Sequence, residues 1–133
     1  PVSCSIASSV LEVIDEEKLQ ENAKTVGNYY KSLFFNLQAK YKCIGDVRGS
    51  GLFLGIEIIK GNDLMPDPEL AHLIKNQLRT NNILISTDGP FNNVLKTKPP
   101  LCFTRENAQL VVNQTEKILE AYYNELRLAS FVF

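Results

Sequence analysis

The apolar positions of the chain change their spacing along its length, and these changes divide it into helical and extended segments. Residues 3–15 and 19–37 keep the three- and four-residue spacing of one helical face. Across 51–59 the spacing falls to two, which predicts a strand packed on at least one side. Helical spacing returns at 68–81 and again at 104–122. The pattern therefore predicts four helices and one clear central strand.

Shorter apolar runs complete the predicted sheet. A strand at 43–47 is interrupted by Gly45-Asp46, a second run covers 83–85, and a third covers 94–98 after a turn at 87–90. The order is helix, helix, strand, strand, helix, strand, strand, helix. Because the connections are of hairpin length, we expect an α+β domain, with a small antiparallel or mixed sheet and helices packed on one face.

Polar residues mark where the predicted helices begin. Ser3 or Ser5 is a plausible cap for the first helix, Asp67 followed by Pro68 for the third, and Thr104 for the last. Gly27 lies inside the second helix, where it costs about 1 kcal/mol relative to alanine unless another segment packs closely against it.

Composition limits the classes of function. The chain has 133 residues, 44% hydrophobic and 22% charged, which fits one globular domain. A net charge of −1 gives no basic footprint for nucleic acid, and the apolar runs are too short to span a bilayer. The chain opens without Met or a leader and closes on an apolar SFVF tail, so we expect it to be part of a longer protein.

The cysteines and the histidine suggest structural roles. Cys4, Cys43 and Cys102 are odd in number and widely spaced, and with His72 as the sole histidine we expect no metal site. Their spacing is typical of a protein kept in a reducing compartment. Cys102 lies in an apolar run without a nearby base, so we expect a core thiol rather than a nucleophile.

Two readings are open for the glycine-rich segment 45–57. Gly49 and Gly51 follow the basic residue Arg48 and could cradle a phosphate with backbone N–H groups. A phosphate loop should open a helix, however, and this segment leads into a strand. We therefore favour a bulged turn in which Gly51 and Gly55 allow another backbone to approach.

Lys96 and Lys98 are the strongest candidates for a binding role. They alternate with Leu95 and Thr97, so an extended chain places both ammonium groups on one face. Lysines on an edge strand also protect against aggregation, so this pattern alone leaves a structural role equally open. The polar residues 87–93 before them would let a small anionic ligand lie beside Lys96.

Three segments together carry a resemblance to a known family. PVSCSIASSVLEVIDEEKLQENAKTVGNYY, IGDVRGSGLFLGIEII and LISTDGPFNNVLKTKPPLCFT resemble, in one register, the C-terminal domain of class III pyridoxal-phosphate aminotransferases. Within that class, the last segment is most similar to the alanine–glyoxylate aminotransferase 2-like branch. That branch includes ethanolamine-phosphate phospho-lyase and 5-phosphohydroxy-lysine phospho-lyase.

The resemblance implies a division of the chain and of the chemistry. Residues 1–126 would form the C-terminal small domain of an enzyme that uses pyridoxal 5'-phosphate, and 127–133 a tail. The catalytic large domain, with the Schiff-base lysine and the main cofactor contacts, would lie upstream. We therefore assign no catalytic or cofactor-binding residue here, and expect these residues alone to be inactive. The parent would be a homodimer, mitochondrial or cytoplasmic, with no nucleic-acid or membrane partner.

The resemblance also implies a role for the lysines. Many class III aminotransferases have, at the position of Lys96, an arginine that holds the substrate's carboxylate. Lysine at this position suggests a phosphorylated amine or amino acid, with Lys96 on its phosphate and Lys98 supporting the field. We therefore expect a phospho-lyase that eliminates phosphate from ethanolamine phosphate or 5-phosphohydroxylysine. The alternatives are a transaminase of the alanine–glyoxylate type and a stand-alone α+β ligand-binding or regulatory module.

Overall fold

The computed structural model describes residues 1–61 and 64–130, without the side chains of the last two. Four helices and four strands follow one another in the expected order. They are α1 (Val2–Glu16), α2 (Leu19–Lys40), β1 (Ile44–Ser50), β2 (Phe53–Ile58), α3 (Pro68–Thr80), β3 (Ser86–Asp88), β4 (Val94–Thr97) and α4 (Arg105–Ser130).

The strands form one antiparallel sheet in the order β1-β2-β4-β3. The side chains of α2, α3 and α4 pack on one face of this sheet and form the core with it. The predicted α+β class, with helices on one face, is therefore confirmed, and the sheet is antiparallel rather than mixed.

The central strand β2 divides its residues between the two faces. Leu54, Ile56 and Ile58 are each 1% exposed and lie among the helices, whereas Phe53 is exposed and Glu57 partly so. Because successive strand residues point to opposite faces, the two-residue spacing of the sequence predicted this division. Helix residues such as Tyr30 and Ile74 complete the core.

Two glycines allow α2 to pack directly on the β1–β2 hairpin. A Cβ placed on Gly27 would lie 2.2 Å from the carbonyl carbon and oxygen of Gly51. Gly51 itself has a φ of +54°, which favours glycine. The close packing that would justify a glycine at position 27 is thus present, and the expectation that Gly51 allows a backbone to approach is confirmed.

The predicted caps have different outcomes. The Asp67 carboxylate accepts a hydrogen bond from the Leu70 N–H at 3.0 Å, and the Thr104 hydroxyl accepts one from the Asn107 N–H at 3.3 Å. The cap predicted at Ser3 or Ser5 is wrong, because α1 begins earlier and no side chain caps it.

The strands of the sheet differ from the predicted ones in several places: β1 continues to Ser50, and β2 begins at Phe53. The strand predicted at 83–85 is wrong: β3 lies at 86–88, where its residues pair with β4, and the turn follows it. The predicted break at Gly45 is a β-bulge, since the register shifts there while β1 continues. β4 ends at Thr97, so Lys98 lies just beyond the strand.

The two terminal helices behave differently from the core helices. α1 contains no buried residue, and Val2, Ile6 and Leu11 are all more than 60% exposed. α4 continues past residue 122, so the first four residues of the predicted 127–133 tail are helical. The last three lie outside the described residues.

The cysteines correct one expectation. Cys43 is buried, but Cys4 and Cys102 are exposed, so the predicted core thiol at Cys102 is wrong. In the segment 101–103 that follows Pro99-Pro100, Leu101 and Cys102 are exposed and Phe103 packs against the core. Across 1–61 and 64–130, no group of three histidine, cysteine or acidic side chains is arranged to hold a metal ion. In the same ranges, no helix combines the length and hydropathy of a bilayer span.

A candidate anion-binding recess on the open face of the sheet

The sheet has a second face, which the described helices leave uncovered. We call it the open face, and its strand side chains are those that alternate with the core residues. They are Asp46, Arg48 and Ser50 on β1, Phe53 and Glu57 on β2, Ser86 and Asp88 on β3, and Val94 and Lys96 on β4. Five of these nine side chains are charged, so this face differs sharply in chemistry from the core face.

One row across the open face brings two cations to either side of a glycine. Arg48 pairs with Gly55 across β1 and β2, and Gly55 pairs with Lys96 across β2 and β4. Since neighbouring strands lie about 4.8 Å apart, the Arg48 and Lys96 backbones are separated by roughly 10 Å. Gly55 supplies no side chain between them.

Because Gly55 has no side chain, its backbone forms the floor of a recess of about 430 Å³. We call this space the open-face recess. Its walls include Arg48, Phe53, Asp88, Val94 and Lys96. A Cβ on Gly55 would lie 3.2 Å from a Val94 methyl carbon and would enter this space. The contacts of Gly55 are therefore side chains, and the expectation that a backbone approaches it is wrong.

Lys96 is held by one carboxylate. Its ammonium Nζ donates to Oδ2 of Asp88, while the other oxygen, Oδ1, accepts the Gly89 backbone N–H at 2.8 Å. The Lys96 side chain is 25% exposed and that of Asp88 55% exposed. The hydrogen bond from Lys96, followed by the one from Gly89, holds the pKa of Asp88 below its usual range.

Arg48 is held more firmly, by two carboxylates. Its Nη1 lies 2.8 Å from Oδ2 of Asp46 and 2.5 Å from Oε2 of Glu57. These hydrogen bonds raise the pKa of Arg48 above its ordinary value. Because two negative charges surround one guanidinium, Arg48 offers less free positive charge to a ligand than Lys96 does.

Lys98 lies on the same side as Lys96 but beyond the recess. Its ammonium sits 5.4 Å from the centroid of the Phe53 ring, a cation–π arrangement. Its charge contributes a small part of the lowering of the Asp88 pKa. The structure thus places Lys96 in the recess and Lys98 at its margin.

The glycine-rich segment does not form a phosphate loop. Gly49 and Gly51 have φ values of +134° and +54° and form the tight connection from β1 to β2, so the segment leads into a strand rather than a helix. The Lys31 ammonium donates to the Gly49 carbonyl oxygen at 3.3 Å. This segment is a hairpin turn, and the bulge lies earlier, at Gly45.

Sequence reasoning missed Asp88, Arg48 and Gly55 as members of this site. Asp88 was assigned to a turn, because β3 was predicted three residues too early. The alternation of Ser86 and Asp88 opposite Lys96 and Val94 was the available signal. Arg48 and Gly55 belong to the glycine-rich segment, and no signal in the sequence indicated that they lie beside Lys96, because only strand pairing brings them there.

Comparison with known proteins identifies the family. Residues 1–119 match the profile of the class III aminotransferases. The chain belongs to the class III aminotransferase family.

Two curated relatives with different names are similar to this chain in sequence. It is 45% identical over 132 residues to an alanine–glyoxylate aminotransferase 2-like protein of Drosophila melanogaster, covering 98% of this chain and 26% of the relative. It is 40% identical over 121 residues to ethanolamine-phosphate phospho-lyase homolog 1 of Caenorhabditis elegans, covering 90% and 26%. The chain thus spans about a quarter of the length of these curated relatives.

A solved structure has the same fold. A phospholyase from Arthrobacter, in complex with phosphoethanolamine, superposes with a TM-score of 0.86 at 38% identity. The superposition covers 90% of this chain and 29% of that one. The α+β arrangement described above is therefore that of part of an enzyme of this family.

Proposed function

We propose that this chain is the C-terminal small domain, 1–126, of a pyridoxal-phosphate-dependent phospho-lyase. The parent enzyme would eliminate phosphate from a phosphorylated amine or amino acid, such as ethanolamine phosphate or 5-phosphohydroxylysine. The observation that carries this proposal is the placement of Lys96 in the open-face recess beside Gly55. The similarity to a phospholyase that binds phosphoethanolamine supports it.

The side chain at position 96 favours phosphate over carboxylate. An arginine presents a planar fork that matches a carboxylate, whereas a lysine ammonium is a compact charge that also suits phosphate. Lys96 is partly buried, which strengthens its interaction with an anion relative to a fully solvated lysine. Lys98 would add to the positive field from the margin of the recess.

We assign no covalent site for pyridoxal phosphate to this chain, because the resemblance to the family implies that the Schiff-base lysine would lie upstream. Bound elsewhere in the parent enzyme, the cofactor would act as an electron sink for the reacting carbon. The part of this domain would be to hold and orient the substrate's anionic end, and alone it would be inactive.

The exposed apolar side chains of α1 support a larger parent protein. Val2, Ile6 and Leu11 present apolar surface that nothing in the described structure covers. We propose that the parent is a homodimer whose sites lie at the subunit boundary. Its compartment, mitochondrial or cytoplasmic, stays a prediction, and some relatives carry a mitochondrial designation.

Lys96→Ala in the full-length enzyme tests the role of this side chain. Loss of a charge-assisted hydrogen bond to phosphate should raise KM for ethanolamine phosphate about 10- to 100-fold. The measurement is the initial rate of phosphate release across a substrate series. Lys117→Ala, an exposed lysine on α4, is the matched control and should leave KM unchanged.

An unchanged KM in Lys96→Ala would remove the proposed role. Lys96→Arg adds a second criterion, because an arginine fork should weaken phosphate binding less than alanine does. If both variants behave like the control, the anion lies elsewhere.

An alanine–glyoxylate transaminase is the second candidate, favoured by the similarity to the Drosophila protein. The two reactions release different products from the complete enzyme. Phosphate released from ethanolamine phosphate supports the lyase, whereas pyruvate released from alanine with glyoxylate supports the transaminase.

A further inference from the structure

The ion pair between Asp88 and Lys96 occupies the position that a bound anion would take. The Asp88 carboxylate approaches the ammonium from β3, the three-residue edge strand. A ligand that binds Lys96 in the recess must therefore compete with a carboxylate that belongs to the protein itself.

Asp88 can release Lys96 without losing its own position. One carboxylate oxygen accepts from Lys96, while the other accepts from the Gly89 backbone N–H. The second bond does not depend on the lysine. More than half of the Asp88 side chain is exposed, so water can replace the lysine as its partner.

Arg48, the second cation in the row with Gly55 and Lys96, cannot exchange its partners as easily. Arg48 is shared between Asp46 and Glu57, which flank it on β1 and β2. An anion binding there would have to displace two carboxylates rather than one. The open-face recess therefore has one cation that exchanges its partner easily and one that is already neutralised.

We propose that Asp88 is an exchangeable counter-ion, which occupies Lys96 when no substrate is bound and sets the affinity of the open-face recess for anions. This inference rests on the proposed function and extends it to a residue that sets the anion affinity of the same site. The expected ligand is a phosphate group of a small amine. Phosphate carries about −1.5 to −2 charges at neutral pH and three acceptor oxygens, so it can outcompete a single internal carboxylate.

The same competition excludes weaker anions. Replacing the Asp88 carboxylate by that of a ligand leaves Lys96 with the same single negative partner, so little free energy is gained. A phosphate adds charge and hydrogen bonds in the same exchange. Competition with Asp88 thus raises the intrinsic affinity for Lys96 that an anion needs in order to bind, and the affinity of monocarboxylates is too low.

Asp88→Asn in the full-length holoenzyme tests the proposal. The amide oxygen can still accept from Gly89, but the competing charge is gone. At constant ionic strength, the inhibition constant of inorganic phosphate should fall about 2- to 5-fold, the range expected for a partly exposed ion pair. The inhibition constant of acetate should fall by a similar factor, which brings weak acetate inhibition into the measurable range.

Asp46→Asn is the matched control. Asp46 is a carboxylate on the same face that pairs with Arg48 instead of Lys96. It should leave both inhibition constants nearly unchanged. If it lowers them as much as Asp88→Asn does, the effect belongs to the general field of the face and the counter-ion proposal is wrong.

The direction of the change separates the counter-ion from a positioning residue. If Asp88 serves to hold Lys96 in place, Asp88→Asn should raise the inhibition constant of phosphate, which would overturn the proposal. An unchanged constant would overturn it as well.

The result is independent of which reaction the enzyme catalyses. Inhibition by phosphate and acetate can be followed through release of the aldehyde product in the lyase reaction or of pyruvate in the transamination reaction, so that added phosphate does not obscure the signal. Failure of the lyase assignment would appear as absent phosphate release. Failure of the counter-ion proposal would appear as an unchanged or raised inhibition constant of phosphate in Asp88→Asn.

Discussion

The two faces of the sheet are built from the same strands and differ in almost every property. On the core face, Ile56 and Leu95 are nearly inaccessible and belong to the apolar core cluster. On the open face, Glu57 and Lys96, their immediate neighbours in sequence, are partly exposed and engaged in ion pairs. A shift of one residue thus separates the part of each strand that stabilises the fold from the part that contributes to the proposed anion site.

The comparison also explains why the site tolerates charge. Core residues gain free energy by leaving water, so they determine the packing. The open-face pairs remain partly solvated, where ion pairs contribute little to stability. Charged residues on that face are therefore free to serve binding, at small cost to the fold.

Ile56→Ala and Glu57→Ala should separate the two faces most strongly. Loss of the buried Ile56 side chain should lower the free energy of unfolding by about 2–5 kcal/mol, because a cavity remains in the core. Loss of Glu57 should cost less than about 1 kcal/mol. Urea unfolding of both variants measures the difference, and equal effects would contradict the division.

Gly27→Ala tests how closely the covering helix must pack on the hairpin. The added methyl group would overlap the Gly51 carbonyl, so α2 or the hairpin must shift. We expect a loss of about 1–3 kcal/mol in the free energy of unfolding. Asn28→Ala, at the exposed neighbouring position, should be neutral or slightly stabilising. Comparable losses in both variants would argue against the close contact.

The smallest expected effect concerns the protonation of Asp88. Its pKa is lowered first by the hydrogen bond from Lys96, so Lys96→Ala should raise it toward the ordinary value for aspartate. The Gly89 N–H should keep it from returning completely. The Lys98→Ala variant should shift it much less, since Lys98 acts only through its more distant charge. NMR titration of the side-chain carboxyl groups in the unsubstituted chain, Lys96→Ala and Lys98→Ala measures the pKa of Asp88 in each.

The sign of the linked pH effect follows from that direction. Because the pKa of Asp88 is lower in the folded chain than in the unfolded one, the pair stabilises the fold above the unfolded pKa. This contribution is lost as the pH falls through the lowered folded value. A pKa of Asp88 that is the same with and without Lys96 would contradict the ion pair.

Much of the fold was predictable because local signals and the core agreed. The spacing of Leu52, Leu54 and Ile56 predicted a strand with one buried face, and Asp67-Pro68 predicted the start of α3. Gly27 is costly in a helix unless another segment packs closely against it, and the Gly51 backbone does so. In each case, the residue's own chemistry limited the structures it could adopt.

The candidate site was only partly predictable, because its partners meet through pairing rather than sequence. The alternation around Leu95 placed Lys96 on one face, but the alternation of Ser86 and Asp88 was not recognised as that of its partner strand. Ile83, Leu84 and Ile85 have strong strand propensity, which moved the predicted strand away from Asp88. Pairing with β4 selected residues 86–88 instead.

The isolated position of α1 has a consequence for local stability. A helix of fifteen residues is marginal in water unless one of its faces is packed, and α1 buries none of its side chains in the described structure. Its amide protons should therefore exchange with solvent long before those of α2 and α4, through openings that leave the sheet intact. In this chain by itself, we expect the first helix to unwind and re-form while the rest stays folded.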